Sequence, residues 1–458
     1  MTSQFLARTV EIAPVDLLSL LPNSRPFAWV RRGEGIIGWG EVARFTTSGP
    51  SRFADAEAAF RAWLAGVRIE DDDAGRARPL ADSGEGKEVV AGNGVTEDDV
   101  AVAGTGPVAF GSFAFDSLAD CETSMLVVPQ VVVGRKGSRS WITVIHPADD
   151  PLDPRDCLEL NVDSPRSPGA VTEADGSLNR AAWLRRVQSA VDRVQDGELD
   201  KVVIARDVAV RTERPIDPRW LLARLGTKYS DTWTFCVDGL VGATPEMLVR
   251  LEKGLVASRV LAGTVHRGGA SGAAATELAT ELDNSALLRA AQLARSAKNQ
   301  GEHEHAVISV TQVLEPLCES MNVPDHPFVL HLPNVMHLAT DVTGILRRRA
   351  GSAPSSLQLA AALHPSAAVC GTPRESARAV IRELEGMDRG RYSSPVGWMG
   401  ANGDGEWGIA LRCARLSDSD PHLARLFAGC GIVAQSNPSD ELAESEAKLA
   451  PMRWALAE

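Results

Sequence analysis

Residues 233–261, WTFCVDGLVGATPEMLVRLEKGLVASRVL, hold three β-type runs in close succession: Trp233 to Val237, Met247 to Leu251 and Gly254 to Leu261. No helical pattern separates them, so the strict alternation of strand and helix that marks a doubly wound parallel sheet is absent. Upstream, Lys201-Val202-Val203-Ile204-Ala205-Arg206 is another β-rich run, with a helical pattern near Trp220 to Leu225. Before it, Leu184, Val187, Val191 and Val194 recur at helical spacing, and Gly197 stands where that helix should stop. Downstream, helices are expected near Ala286 to Lys298, Glu304 to Leu317, Ser356 to Leu363 and Glu375 to Leu384. Strands follow at Pro395 to Gly400, Glu406 to Leu416 and Leu423 to Phe427. A last helix starts at Asn437-Pro438, an N-cap and first-turn pair, and should turn Leu442, Leu449, Met452 and Leu456 inward. The pattern reads as α+β with extensive, mainly antiparallel sheets flanked by helices.

The first 150 residues read as short strands, among them Phe27 to Val30, Val108 to Phe115, Met125 to Val133 and Trp141 to His146. Between the first two lies a polar stretch near 67–105, rich in Asp, Gly, Ala and Glu, with the composition of a surface insertion. Residues 1–106 are thus an N-terminal strand-rich part, and 107–458 the remainder.

The chain has 458 residues, of which 44% are apolar and 23% charged, which is globular rather than disordered composition. Length alone suggests about two or three domains. With 60 acidic against 47 basic residues the net charge is −13, and no basic cluster invites nucleic acid. An anionic small molecule stays possible, because a local pocket or a bound cation overrides the global sign. The seven cysteines are scattered without a CxxC pair, which favours neither a disulfide framework nor a zinc site and fits the cytoplasm. The N-terminus lacks a signal-peptide pattern, and no apolar run approaches the roughly 18 residues of a membrane span.

Several motifs are decoys. Gly33-Glu34-Gly35-Ile36-Ile37-Gly38 matches GxGxxG but continues as strand or turn, so a hairpin is expected. Gly429-Cys430-Gly431-Ile432-Val433-Ala434 lacks the second strand and acid of a dinucleotide site. No P-loop and no nucleophile elbow occurs, and His303-Glu304-His305 lacks the spacing of a zinc-protease helix. Four groups remain. Glu304 lies early in a helix, where an acid also suits the macrodipole. Glu441, Glu444 and Lys448 share one face of the last helix, as an ion-pair ladder or as two carboxylates for a hard cation. Lys201 heads an apolar strand, and Glu246 follows Gly242-Ala243-Thr244-Pro245 at a turn.

Their order and local sequence resemble the chorismate-utilising enzymes. The resemblance rests on Lys201 to Arg206, Gly242 to Glu246, Leu261-Ala262-Gly263-Thr264, Glu304-His305, His337-Leu338 and His364-Pro365-Ser366-Ala367-Ala368-Val369-Cys370-Gly371-Thr372-Pro373-Arg374. It continues through Pro395-Val396-Gly397-Trp398, Leu411-Arg412-Cys413-Ala414, Gly429 to Val433 and Glu444 to Leu449. Roughly residues 107–455 are covered. Within the family the chain most resembles isochorismate synthases.

The resemblance implies one large two-lobed catalytic fold, continuous with the N-terminal part. It implies an isomerase that converts chorismate reversibly to isochorismate with Mg²⁺, in menaquinone or siderophore biosynthesis. Lys201 would activate water and Glu246 would protonate the leaving hydroxyl, which needs Lys201 uncharged and Glu246 protonated; burial favours both. Glu304 and Glu444 match metal-ligand positions, with Glu441 nearby as a direct or water-mediated ligand. Gly263, Thr264, His337, Ala368, Arg412, Gly431 and Lys448 match substrate contacts. The implied enzyme is a monomer without nucleic-acid or membrane partners and without an ammonia-supplying amidotransferase subunit. Ala262 stands where one kind of aminodeoxychorismate synthase has lysine, and Lys201 stands where anthranilate synthases lack it. Ala368-Val369 differs from the Thr-Ala typical of salicylate synthases, the sister activity that goes on to eliminate pyruvate. That activity and a catalytically inactive chorismate-binding relative are the alternative readings. Cys430, where alanine is common, reads as a buried small thiol.

Overall fold

A computed structural model describes residues 4–23, 25–71, 102–117, 123–150, 152–158, 163–266, 290–331, 335–347 and 353–458. Among these, two large sheets dominate. The first joins, in order, Val171–Asp175, Lys201–Thr212, Leu423–Ile432, Cys413–Leu416, Leu240–Thr244, Trp233–Val237, Phe27–Arg31, Glu34–Trp39, Val131–Lys136, Arg139–Pro147, Phe5–Ile12 and Val67–Asp71. The second joins Cys318–Asn322, Val335–Leu346, Leu255–His266, Met247–Glu252, Gly405–Ile409, Pro395–Gly400, Val108–Ser112, Ser124–Val128 and Ala43–Thr47. Apart from the parallel pairing of Phe5–Ile12 with Val67–Asp71, the pairings described are antiparallel. The fold is α+β, as the adjoining strand runs predict. Strands from the first 71 residues pair into both sheets, so the N-terminal part shares their cores.

Local sequence explains the elements that matter for the site. Arg180–Gln195 is a helix because Asn179 caps it, its side chain accepting from the Ala182 amide at 2.9 Å, and Trp183, Val187, Val191 and Val194 form the buried stripe. Gly197, at φ +78°, donates its amide to Val194 and ends it. Asn437 caps Pro438–Leu456, whose later turns bury Leu449, Met452 and Leu456, while Leu442 is only partly covered. The N-terminal stretch is not all strand: Arg52–Leu64 is a helix burying Phe53, Ala56, Phe60 and Leu64. The glycine decoy near residue 33 is a hairpin, with Gly38 opposite Phe27 and positive φ at Arg32 and Gly33. The second decoy is strand, since Leu423–Ile432 runs straight through Gly429 and Gly431. Of the polar stretch near 67–105, Val67–Asp71 is an edge strand, and residues 72–101 lie outside the described residues.

The expected single strand Glu406 to Leu416 is broken in two. Gly405–Ile409 belongs to the second sheet and Cys413–Leu416 to the first, with Arg412 between them at φ +49°. A side-chain-bearing residue in that left-handed region costs about 1–2 kcal/mol, so the surrounding structure must impose it. A second crossing of the same kind links Leu240–Thr244 in the first sheet to Met247–Glu252 in the second, through Pro245 and Glu246. The crossings brace each other: the Ala243 amide donates to Arg412 O at 3.2 Å, and the Ile409 amide to Glu246 O at 3.1 Å.

Candidate active site

Those two crossings deliver Glu246 and Arg412 to one cavity of about 130 Å³. Its other walls come from both sheets and the last helix: Lys201 at the head of its strand, Gly263 and His337, Ala368 and Val369, Gly429 and Gly431, and Glu441, Glu444 and Lys448. Size does not single it out, for cavities of about 500 and 430 Å³ lie elsewhere. Its chemistry does, because a buried carboxyl here faces buried cations.

Glu246 is 6% exposed, and burial pushes its carboxyl up to about 8 against the opposing pull of Lys201, Arg412 and Lys448. Desolvation thus outweighs three nearby positive charges, and the group is largely protonated at neutral pH. Its backbone is fixed, with the amide donating to Thr244 Oγ1 at 3.2 Å. Lys201 is equally buried, and its strand register against Gly371 and Thr372 holds it at the sheet end. Burial lowers the Arg412 guanidinium from its ordinary range. One of its Nη atoms lies 3.4 Å from His337 Nε2. Burial also opposes the charge on Lys448, yet Glu444, 2.6 Å away, keeps its pKa above the ordinary lysine value. Lys448 also donates to Gly429 O at 2.8 Å.

Gly263 sits at a β-bulge with φ +74°, where the register shifts between Ala262 opposite Leu338 and Thr264 opposite His337. The bulge re-aims the backbone at the cavity, which a Cβ-bearing residue would do only under strain. The Thr264 side chain lies outside the described residues.

Glu441 and Glu444 bring ligand atoms within 4.8 Å of each other and of the Cys430 sulfur. Two carboxylates one helical turn apart fit a hard cation that keeps part of its water shell. Cys430 does not suit it: burial, then Glu444, raise its pKa well above the usual thiol value, and its Sγ lies 3.1 Å from the Glu441 carbonyl oxygen as a hydrogen-bond donor. Glu304 departs from the expected metal set. On Ala297–Leu314 the packed face is His303, Ala306, Val310 and Leu314, which turns residue 304 outward, so its side chain is exposed and lines none of these walls.

The sequence reading did not single out Tyr392 and Ser393, which line the cavity just ahead of the Pro395-Val396-Gly397-Trp398 motif. Tyr392 stacks on Phe427 with ring centroids 5.0 Å apart, and burial pushes its hydroxyl up to about 12, leaving it a neutral hydrogen-bonding group. Ser393 is buried at φ +59°.

A profile of the family described as "Chorismate binding enzyme" matches residues 82–457. The salicylate biosynthesis isochorismate synthase of Pseudomonas aeruginosa is 33% identical over 475 aligned positions, covering 99% of this chain and 90% of that one. Isochorismate synthase MenF of Bacillus subtilis is 30% identical, covering 79% and 77%. The structure of MenF from Escherichia coli superposes with a TM-score of 0.74 at 22% identity over 99% of this chain and 95% of that one, a likeness of fold. The chain belongs to the chorismate-binding enzymes.

Proposed function

We propose that the protein is an isochorismate synthase, an isomerase that moves the ring hydroxyl of chorismate with water as the incoming group. The observation that carries this reading is Glu246, a carboxyl raised to about 8 by burial and set in one cavity with Lys201. Acid–base exchange of one hydroxyl for another needs such a pair: a group that takes a proton from water and a protonated group that gives one to the departing oxygen. The relatives named isochorismate synthase support the same reading.

In this reading Lys201 removes a proton from the water that attacks ring carbon 2, and Glu246 protonates the hydroxyl leaving carbon 4. Arg412 and Lys448 hold the substrate's carboxylates. The bulge at Gly263 and the strand at Gly431 let the ring approach the backbone, beside Ala368 and His337. Mg²⁺ would be held by Glu441 and Glu444, directly or through water, and would neutralise the ring carboxylate. Tyr392 closes one wall.

The product decides the reaction. With chorismate and Mg²⁺ and no ammonia, chromatography is expected to show isochorismate in equilibrium with chorismate. Salicylate with pyruvate would favour the sister activity, and no turnover would favour an inactive relative.

The metal assignment has its own test. Glu444→Gln is expected to weaken Mg²⁺ binding at least tenfold in a calorimetric titration, since it removes one of two carboxylates. An unchanged titration would take Glu444 out of the metal shell. Glu304→Gln in the same titration weighs the family resemblance against the outward-facing geometry: a comparable loss would mean that residue 304 turns inward when the ion binds.

A further inference from the structure

Next to the substrate cavity, and sharing Glu246 and Ala368 with it, lies a much smaller one. Its remaining walls are Met247, Leu248, Ser258, Arg259, Val260, Ala306, Val310 and Ser366, and it measures about 10 Å³ at water-probe centres. That is close to the least volume that holds one water molecule, provided two or more polar groups face it. Four of its lining residues are polar, Glu246, Ser258, Arg259 and Ser366.

Ser366 is 5% exposed, and its Oγ finds no hydrogen-bond partner among the described residues. A buried hydroxyl left in that condition costs about 1–3 kcal/mol, so the position calls for a function or for a bound molecule. The residue is not loosely placed. Its carbonyl accepts from the amides of Val369 at 3.2 Å and Cys370 at 3.0 Å, in the turn that presents Ala368 and Val369 to the substrate cavity. On the far side, the small cavity shares Met247, Ser258 and Arg259 with the cavity of about 500 Å³, whose walls include the exposed side chains of Arg32 and Lys136. Buried Ser258 therefore stands between a solvent-facing space and Glu246.

The proposed reaction creates a need that this arrangement meets. In each turnover an O–H bond of the attacking water breaks, and its proton passes to the Lys201 amine. The bond from carbon 4 to oxygen breaks, its electron pair leaving on oxygen, and that oxygen takes the proton of Glu246 and departs as water. No net proton is consumed, but the enzyme is left with Lys201 charged and Glu246 ionised. Before the next cycle Lys201 must pass its proton to solvent and Glu246 must regain one from solvent, and with chorismate in excess a ring, product or next substrate, occupies the cavity that the two residues share.

We propose that one water held between Ser366 and Glu246 returns the proton to Glu246 from solvent by way of Ser258, with Ser366 as the positioning residue of that path. This rests on the reading of Glu246 as the acid and Lys201 as the base. The apolar walls from Met247, Leu248, Val260, Ala306 and Val310 keep the relay apart from bulk water.

The test is a rapid-quench experiment on Ser366→Ala with excess chorismate and Mg²⁺. Glu246 begins protonated, so the first turnover is expected at the wild-type rate, followed by a steady state at least tenfold slower. The trace should show a burst of about one isochorismate per site. The slow phase should speed up with added imidazole buffer, a small proton donor, and Ser366→Thr should restore the steady state to within about twofold. An unchanged steady state would overturn the proposal. So would an equal loss in burst and steady state, which marks a purely structural role, or a slow phase indifferent to buffer, which marks product release. Should Ser366→Ala not fold, Ser258→Ala is read in the same way, with the same burst expected and its absence overturning the path. If Lys201→Ala or Glu246→Gln keeps the wild-type rate, the acid–base reading itself fails, which is a separate result.

Discussion

Lys201→Ala is expected to lower kcat at least a thousandfold, about 4 kcal/mol of barrier, while chorismate binding in the presence of Mg²⁺ changes less than about tenfold. Removal of a proton from water in a buried site leaves no easy substitute for the amine, because Lys201 is only 6% exposed. Binding should survive because Arg412 and Lys448, the residues proposed to meet the substrate's carboxylates, stand on other elements of the cavity wall. The substitution should not disable the acid. Lys201 is among the charges that pull the Glu246 carboxyl down, so without it Glu246 is protonated even more firmly. A variant that keeps the wild-type rate would refute Lys201 as the base. One that loses binding and rate together would make it a substrate ligand instead.

The second large effect falls on Glu246. Glu246→Gln should cost roughly 10² to 10⁴ in kcat, because the amide keeps the shape but cannot give up a proton to the leaving oxygen. Its stability should move the other way. The native carboxyl titrates near 8 and the unfolded one near its ordinary value of 4.5. Between those pH values the unfolded state has lost its proton and the native state has kept it. Stability therefore falls as pH rises from about 4.5 to 8, and the deficit is full above 8. At 1.36 kcal/mol per pH unit, the penalty at pH 8 is on the order of several kcal/mol. Glutamine removes it, so Glu246→Gln is expected to be more stable than wild type at pH 8 and close to it at pH 4.5. In the wild type, kcat/KM should fall as pH rises through about 8, as Glu246 ionises. Calorimetric Tm at both pH values, beside the rate profile, checks the pair of claims. A variant that is no more stable at pH 8 would mean that Glu246 is not held protonated by burial.

The gain in stability and loss of rate at one residue have a common origin. A carboxyl kept neutral in the interior is a poor choice for folding and a good one for donating a proton at neutral pH. Arg412 shows the same trade in the backbone: it stays in a left-handed conformation at the passage between sheets, and there its guanidinium enters the cavity.

The sequence by itself determined much of this. The adjoining runs at Trp233, Met247 and Gly254 excluded a doubly wound sheet, since strand and helix periodicities are local and survive without tertiary context. The motif order around Lys201, Glu246, Arg412 and Glu444 was enough to mark the family, and ten of the residues it marked line one cavity: Lys201, Glu246, Gly263, His337, Ala368, Arg412, Gly431, Glu441, Glu444 and Lys448. Other features needed the tertiary structure. The run from Glu406 to Leu416 has unbroken β-type composition, and only its pairing partners reveal that it leaves one sheet at Ile409 and enters another at Cys413. The helix Arg52–Leu64 was hidden among strand-like neighbours although Phe53, Ala56, Phe60 and Leu64 have helical spacing. Glu304 matched a metal position by its neighbours in sequence, yet the face on which Ala297–Leu314 packs turns it outward. Tyr392, and the unsatisfied hydroxyl of Ser366 beside Glu246, could not be read from order at all. Burial and hydrogen-bond satisfaction are set by what the rest of the chain brings alongside, and they decide whether a carboxyl is an exposed turn residue or an acid held ready near neutral pH.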